Sequence, residues 1–129
     1  MALTAIMWGD MLLHKETLKP QTDNPYYCFC PSVELQKILL DKLSRSVIIA
    51  DWEYDALKYP IETAVFFKEN GFEVLGCPWD RAFRNNDSWL QTIKEHHLKG
   101  GAYDMAKRRY GVQSFGNECC FCMGKRFCF

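Results

Sequence analysis

The chain has 129 residues, no net formal charge at pH 7, 48% hydrophobic residues and 25% charged ones. That composition is globular and sized for one domain. Balanced charge offers no electrostatic case for nucleic acid or an anionic membrane surface, and no apolar run approaches the length that spans a bilayer, so neither partner is expected.

The opening segment, MALTAIMWGDMLL, has no basic n-region, and Asp10 interrupts its apolar stretch. It does not read as a signal peptide, which leads to the expectation of a cytoplasmic chain with reduced thiols. The cysteine count of seven is odd and does not suit a closed disulfide framework.

The first short apolar run is Ala5-Ile6-Met7-Trp8, followed by Gly-Asp. Its near-continuous apolar character suggests a strand buried on both faces. Gly9 to Pro31 contains Pro20, Asn24, Pro25 and Pro31 and reads as a long loop, of the kind that carries function. Val33 to Leu43 has apolar residues at 35, 38, 39 and 43, a helical spacing, with Ser32 as N-cap. Ser46-Val47-Ile48-Ile49-Ala50 is a second strand, running into Asp51-Trp52. Pro60 to Asn70 reads as a helix with proline in its first turn and a stop at Asn70-Gly71. Phe72-Glu73-Val74-Leu75-Gly76 is a third strand, followed by Cys77-Pro78-Trp79-Asp80. Asp87 to Lys99 is a third helix, with Asp87 or Asn86 as cap. Alternating strands and helices predict a parallel α/β fold.

Each strand ends on a tryptophan close to an aspartate: Trp8-Gly9-Asp10, Asp51-Trp52 with Tyr54 nearby, and Trp79-Asp80. Carboxylates accept hydrogen bonds from sugar hydroxyls, and tryptophan faces stack on the C–H faces of pyranose rings. At the C-terminal ends of successive parallel strands, such residues would line one cleft. A single pair of this kind is more simply core packing plus a helix cap; three at equivalent positions put a site on an equal footing with that reading.

The runs IMWGDML, VIIADWEYD and FFKENGFEVLGCPWD resemble consecutive strand regions of the family 20 glycoside hydrolase superfamily, the β-N-acetylhexosaminidase-like TIM barrels. The resemblance covers about residues 3 to 99 and implies a partial (β/α)8 barrel of about three βα units, its fifth to seventh strands. It implies a tryptophan-walled sugar pocket and substrate-assisted retaining hydrolysis, in which the substrate's acetamido oxygen replaces a protein nucleophile. Trp79 would line the pocket and Asp80 would accept from a sugar hydroxyl; Trp8, Asp10, Trp52 and Tyr54 complete the candidate binding set. The family's Asp-Glu pair follows an earlier strand, and no His-x-Gly-Gly-Asp-Glu-like motif occurs here, so no catalytic residue is assigned. A complete barrel takes about 250 residues. The expectation is therefore a sugar-binding piece of an N-acetylhexosamine-directed hydrolase, inactive as an isolated chain, with no cofactor and with self-association through open sheet edges. A non-catalytic carbohydrate-binding remnant and an inert gene fragment are the alternatives.

Beyond Lys99 the resemblance stops, and 100–129 reads as an irregular Cys/Phe-rich tail. Four of the seven cysteines fall in the last twelve residues, ECCFCMGKRFCF. The genetic code offers a reading. Met105-Ala106 must be ATG-GCN, so the frame one base forward contains TGG, and the preceding Gly-Ala-Tyr-Asp permits Val-Leu-Met-Thr-Trp, a strand ending in tryptophan. Cys-Cys-Phe-Cys-Met-Gly, shifted likewise, permits Ala-Ala-Phe-Ala-Trp. The tail is thus expected to be a frameshift near Gly100. The competing reading is zinc held by Cys28 and Cys30 with Cys119, Cys120 and Cys122, but C-x-C and C-C-x-C spacings depart from the usual C-x₂-C pairs, and no metal is assigned. His96-His97 are adjacent on a helix, about 100° apart, and read as a solvated helix end.

Overall fold

The computed structural model describes residues 4–18, 27–54, 59–79 and 82–101. Four strands, β1 (Ile6–Trp8), β2 (Ile48–Asp51), β3 (Glu73–Gly76) and β4 (Gly100–Gly101), alternate with three helices, α1 (Val33–Lys42), α2 (Glu62–Glu69) and α3 (Phe83–Glu95). All strand pairs are parallel and the spatial order is β1-β2-β3-β4, the order of the sequence. The chain is a parallel α/β fold.

The register separates the two faces of the sheet. Met7 pairs with Ile49 and Ile49 with Val74, while Asp51 pairs with Gly76. This face meets the helices: Ile49 and Val74 share one buried cluster with Leu40 of α1, Ala64 and Phe67 of α2, and Trp89 of α3. All three helices therefore cover the same side. Two glycines let bulky aromatic rings of the helices approach the backbone closely on this face. A Cβ on Gly76 would lie 2.5 Å from Trp89, and one on Gly9 would lie 2.7 Å from Phe67. The opposite face carries Ile6, Trp8, Ile48, Ala50 and Leu75. Strand β2 is buried throughout, as its apolar run predicts, whereas Trp8 on β1 is 45% exposed, so β1 is not buried on both faces.

Local chemistry accounts for most element limits. Ser32 caps α1, its Oγ accepting from the Leu35 N–H at 3.1 Å, as expected. Helix α2 begins at Glu62, two residues later than its proline suggests, because the Ile61 N–H is taken by Thr92 Oγ1 of α3 at 3.0 Å and Ile61 is extended. Helix α3 begins at Phe83, not Asp87, and the expected caps Asn86 and Asp87 lie inside it. Its N-cap, Ala82, has no side-chain cap. It also ends at Glu95 rather than Lys99: His97 takes a positive φ of 50°, and the Lys99 N–H bonds Val74 O at 2.9 Å, turning the chain into β4. His96 and His97 sit at that helix end, half-buried and exposed respectively. Strand β4 opens at Gly100, so the sheet extends past the boundary read after residue 99. Residues 102–129, with their cysteines and the frameshift reading, lie outside the described residues.

No helix among the described residues is long and apolar enough to cross a membrane.

Candidate functional site: an aromatic wall at the strand ends

The chain leaves each strand at its C-terminal end, and these exits gather the candidate residues. After β1 it makes a single 3₁₀ turn, Asp10–Leu12, whose Leu12 and Leu13 drop into the core. The loop then returns alongside this turn: the Phe29 N–H donates to Asp10 O at 2.9 Å and the Cys30 N–H to Leu13 O at 2.8 Å. That return sets Tyr27 against the residues that follow β2.

Four rings make a contiguous wall. Tyr27 and Trp52 meet edge to face with centroids 4.6 Å apart, and Trp52 and Tyr54 do so at 5.2 Å. Tyr54 and Trp79 are stacked, 5.9 Å apart with planes 27° from parallel. These distances lie in the range where aromatic pairs attract beyond the area they bury. Tyr27 is buried, Trp52 and Tyr54 are half-buried, and Trp79 is 44% exposed. The wall thus runs from a fixed base to an open rim.

Asp10 stands beside the wall. Its Oδ1 accepts from the Met11 N–H at 3.0 Å, and the Trp52 side chain bonds the same carboxylate. Burial pushes the Asp10 carboxyl above the usual carboxylate range, against the lowering effect of these two bonds. Asp51, the last residue of β2, points the other way. It is fully buried under α2, where Thr63 Oγ1 donates to its Oδ2 at 2.5 Å. Burial is the main force raising its pKa to about 7; bonds from Thr63 and Trp52 oppose it, and the Asp10 charge adds to it. Asp51 is a strand-to-helix tie beneath the wall.

The loops are pinned from below by α3. Glu53, itself buried, offers its main-chain carbonyl to both Asn85 Nδ2 (2.7 Å) and Trp89 Nε1 (3.1 Å). Asn85 Oδ1 in turn accepts from the Trp79 N–H at 3.2 Å.

Of the six residues expected to bind sugar, the structure brings Asp10, Trp52, Tyr54 and Trp79 together. Trp8 lies in β1 on the face away from the helices and joins none of the ring pairs among the described residues. Asp80 lies outside the described residues. The three Trp/Asp pairs are therefore not equivalent: one aspartate faces the wall and Asp51 faces the helices. Tyr27, Asn85 and Trp89 were not legible as site residues. Tyr27 belongs to a long loop whose return path has no local signature. Asn85 precedes the residues read as a helix cap, Asn86 and Asp87, and Trp89 reads as helix core, which it also is.

Cys30 and Cys77 are buried, with weak Sγ contacts to the carbonyls of Ser32 (3.5 Å) and Leu75 (3.9 Å). Cys28 is half-buried. Among the described residues no group of three or more His, Cys, Asp or Glu side chains is placed to hold a metal ion. Comparison of the chain with family models, curated proteins and solved structures finds no match.

Proposed function

We propose that the chain is the sugar-holding part of a glycoside hydrolase of the hexosaminidase-like class, with a carbohydrate of the N-acetylhexosamine type as ligand. The observation that carries this reading is the wall Tyr27-Trp52-Tyr54-Trp79 at the C-terminal ends of parallel strands, with the Asp10 carboxylate beside it. Rings with an exposed rim stack on pyranose C–H faces, and a carboxylate whose donors are fixed at one side accepts a sugar hydroxyl at another.

The topology supports a barrel arc. Doubly wound sheets reverse strand order and place helices on both faces. Here the order runs β1-β2-β3-β4 without reversal and all three helices share one face, the arrangement of a (β/α)8 wall. In such a barrel the sugar sits where the four rings are. The acid pair of the hexosaminidase-like family has no counterpart in the sequence, so the chain binds and does not hydrolyse.

Titration with N-acetylglucosamine while recording tryptophan fluorescence tests the reading. Saturable quenching that Trp79→Ala removes is the expected result, together with no release of aryl alcohol from an aryl N-acetylglucosaminide. Absence of quenching in the folded wild-type chain would overturn it.

A further inference from the structure

Asn85 is the third residue of α3, and its side chain is 0% exposed. Its amide reaches two other segments. Its Nδ2 donates to the carbonyl of Glu53, which lies between Trp52 and Tyr54; its Oδ1 accepts from the N–H of Trp79. One planar amide thus spans the loop after β2 and the loop after β3, the two segments that carry the stacked rings Tyr54 and Trp79.

We propose that Asn85 is a positioning residue: its amide holds the two ring-bearing loops in register, so that Tyr54 and Trp79 present one continuous stacking surface to the ligand. The ligand in this statement rests on the carbohydrate reading above. The chemistry explains the residue type. The bridge needs one donor and one acceptor about 2 Å apart on a short rigid stem, which a primary amide on a single methylene supplies. Aspartate keeps the acceptor and loses the donor, and leucine loses both. Trp89 donates to the same Glu53 carbonyl but, among the described residues, makes no bond to the Trp79 loop, so it separates anchoring of one loop from bridging of two.

The test compares Asn85→Asp, Asn85→Leu and Trp89→Phe in the full chain by far-UV and near-UV circular dichroism without ligand, then by fluorescence titration with N-acetylglucosamine. Both Asn85 variants are expected to keep wild-type helix content, lose more than half of the near-UV aromatic signal, and bind the sugar at least about tenfold more weakly, one net hydrogen bond being lost in Asn85→Asp and two in Asn85→Leu. Trp89→Phe, which loosens the anchor of one loop only, is expected to lose clearly less of the near-UV signal and of the affinity than either Asn85 variant. Asn85→Asp with an unchanged near-UV spectrum would overturn the proposal, as would equal losses in Asn85→Asp and Trp89→Phe. If wild type fails to bind the sugar, the carbohydrate reading falls, and the ligand-free spectra still judge the bridge. If both Asn85 variants fail to fold, hydrogen exchange of the Asn85 side-chain amide in wild type decides. Protection like that of core backbone amides supports the bridge, and exchange as fast as an exposed amide overturns it.

Discussion

Thr63 donates its hydroxyl to Asp51 across 2.5 Å, tying the end of β2 to the first turn of α2 in a place that solvent does not reach. The tie does not keep Asp51 ionised in the ordinary range. Burial outweighs it, and the carboxyl titrates at about 7 instead of 3.8. Protonation is therefore favoured in the folded chain. The stabilisation associated with the protonated form is complete below the unfolded value near 3.8 and is lost as pH rises toward about 7. Asp10, also raised by burial, acts in the same direction.

The pH dependence of melting follows. Wild type is expected to lose stability from pH 4 to pH 7 through this pair. Asp51→Asn, whose amide keeps an acceptor for Thr63 and carries no charge, is expected to flatten that slope and to melt above wild type at pH 8. Thermal melts of both proteins across this range check it, and parallel curves would refute the assignment.

The packing of α3 on the sheet makes a prediction about volume. Gly76→Ala drives a Cβ to 2.5 Å from the Trp89 ring and is expected to cost about 1–3 kcal/mol. Gly100→Ala is the control, since its nearest neighbour would be Leu75 at an ordinary 3.7 Å, and it is expected to change stability far less. Urea midpoints of the two variants measure the contrast.

Cap chemistry is testable at the start of α1. Ser32→Ala removes the acceptor for the Leu35 N–H and is expected to cost about 1 kcal/mol, while Ser32→Asp restores it. Equilibrium unfolding of the two variants should show loss and recovery.

Trp52 links the wall to its carboxylate. Trp52→Phe keeps a ring but removes the indole N–H, which favours the charged form of Asp10. The Asp10 pKa is expected to rise further in this variant and sugar affinity to fall. Carboxyl-carbon NMR titration of Asp10 reads the first effect directly.

The parallel α/β class, three strands and three helices were legible because hydrophobic periodicity and turn residues are local properties. So was the Ser32 cap, whose side chain acts three residues away. Helix starts at Pro60 and Asp87 were misplaced because tertiary bonds override local preference: Thr92 takes the Ile61 N–H, and α3 starts at Phe83, four residues early, with Asn85 inside it tied to two loops. The candidate site was legible in kind, as tryptophans and acids at strand ends.

The sequence by itself determined which residue types end each strand. Only the tertiary structure decided which of them meet. Asp51 and Trp52 are neighbours in the chain, yet side chains alternate across a strand, and one residue's step sends Asp51 beneath α2 and Trp52 into the wall. Tyr27 arrives from 25 residues upstream of Trp52. Trp79 is held by an asparagine of the following helix. These meetings depend on register, crossover and helix packing, which no local pattern of residues encodes.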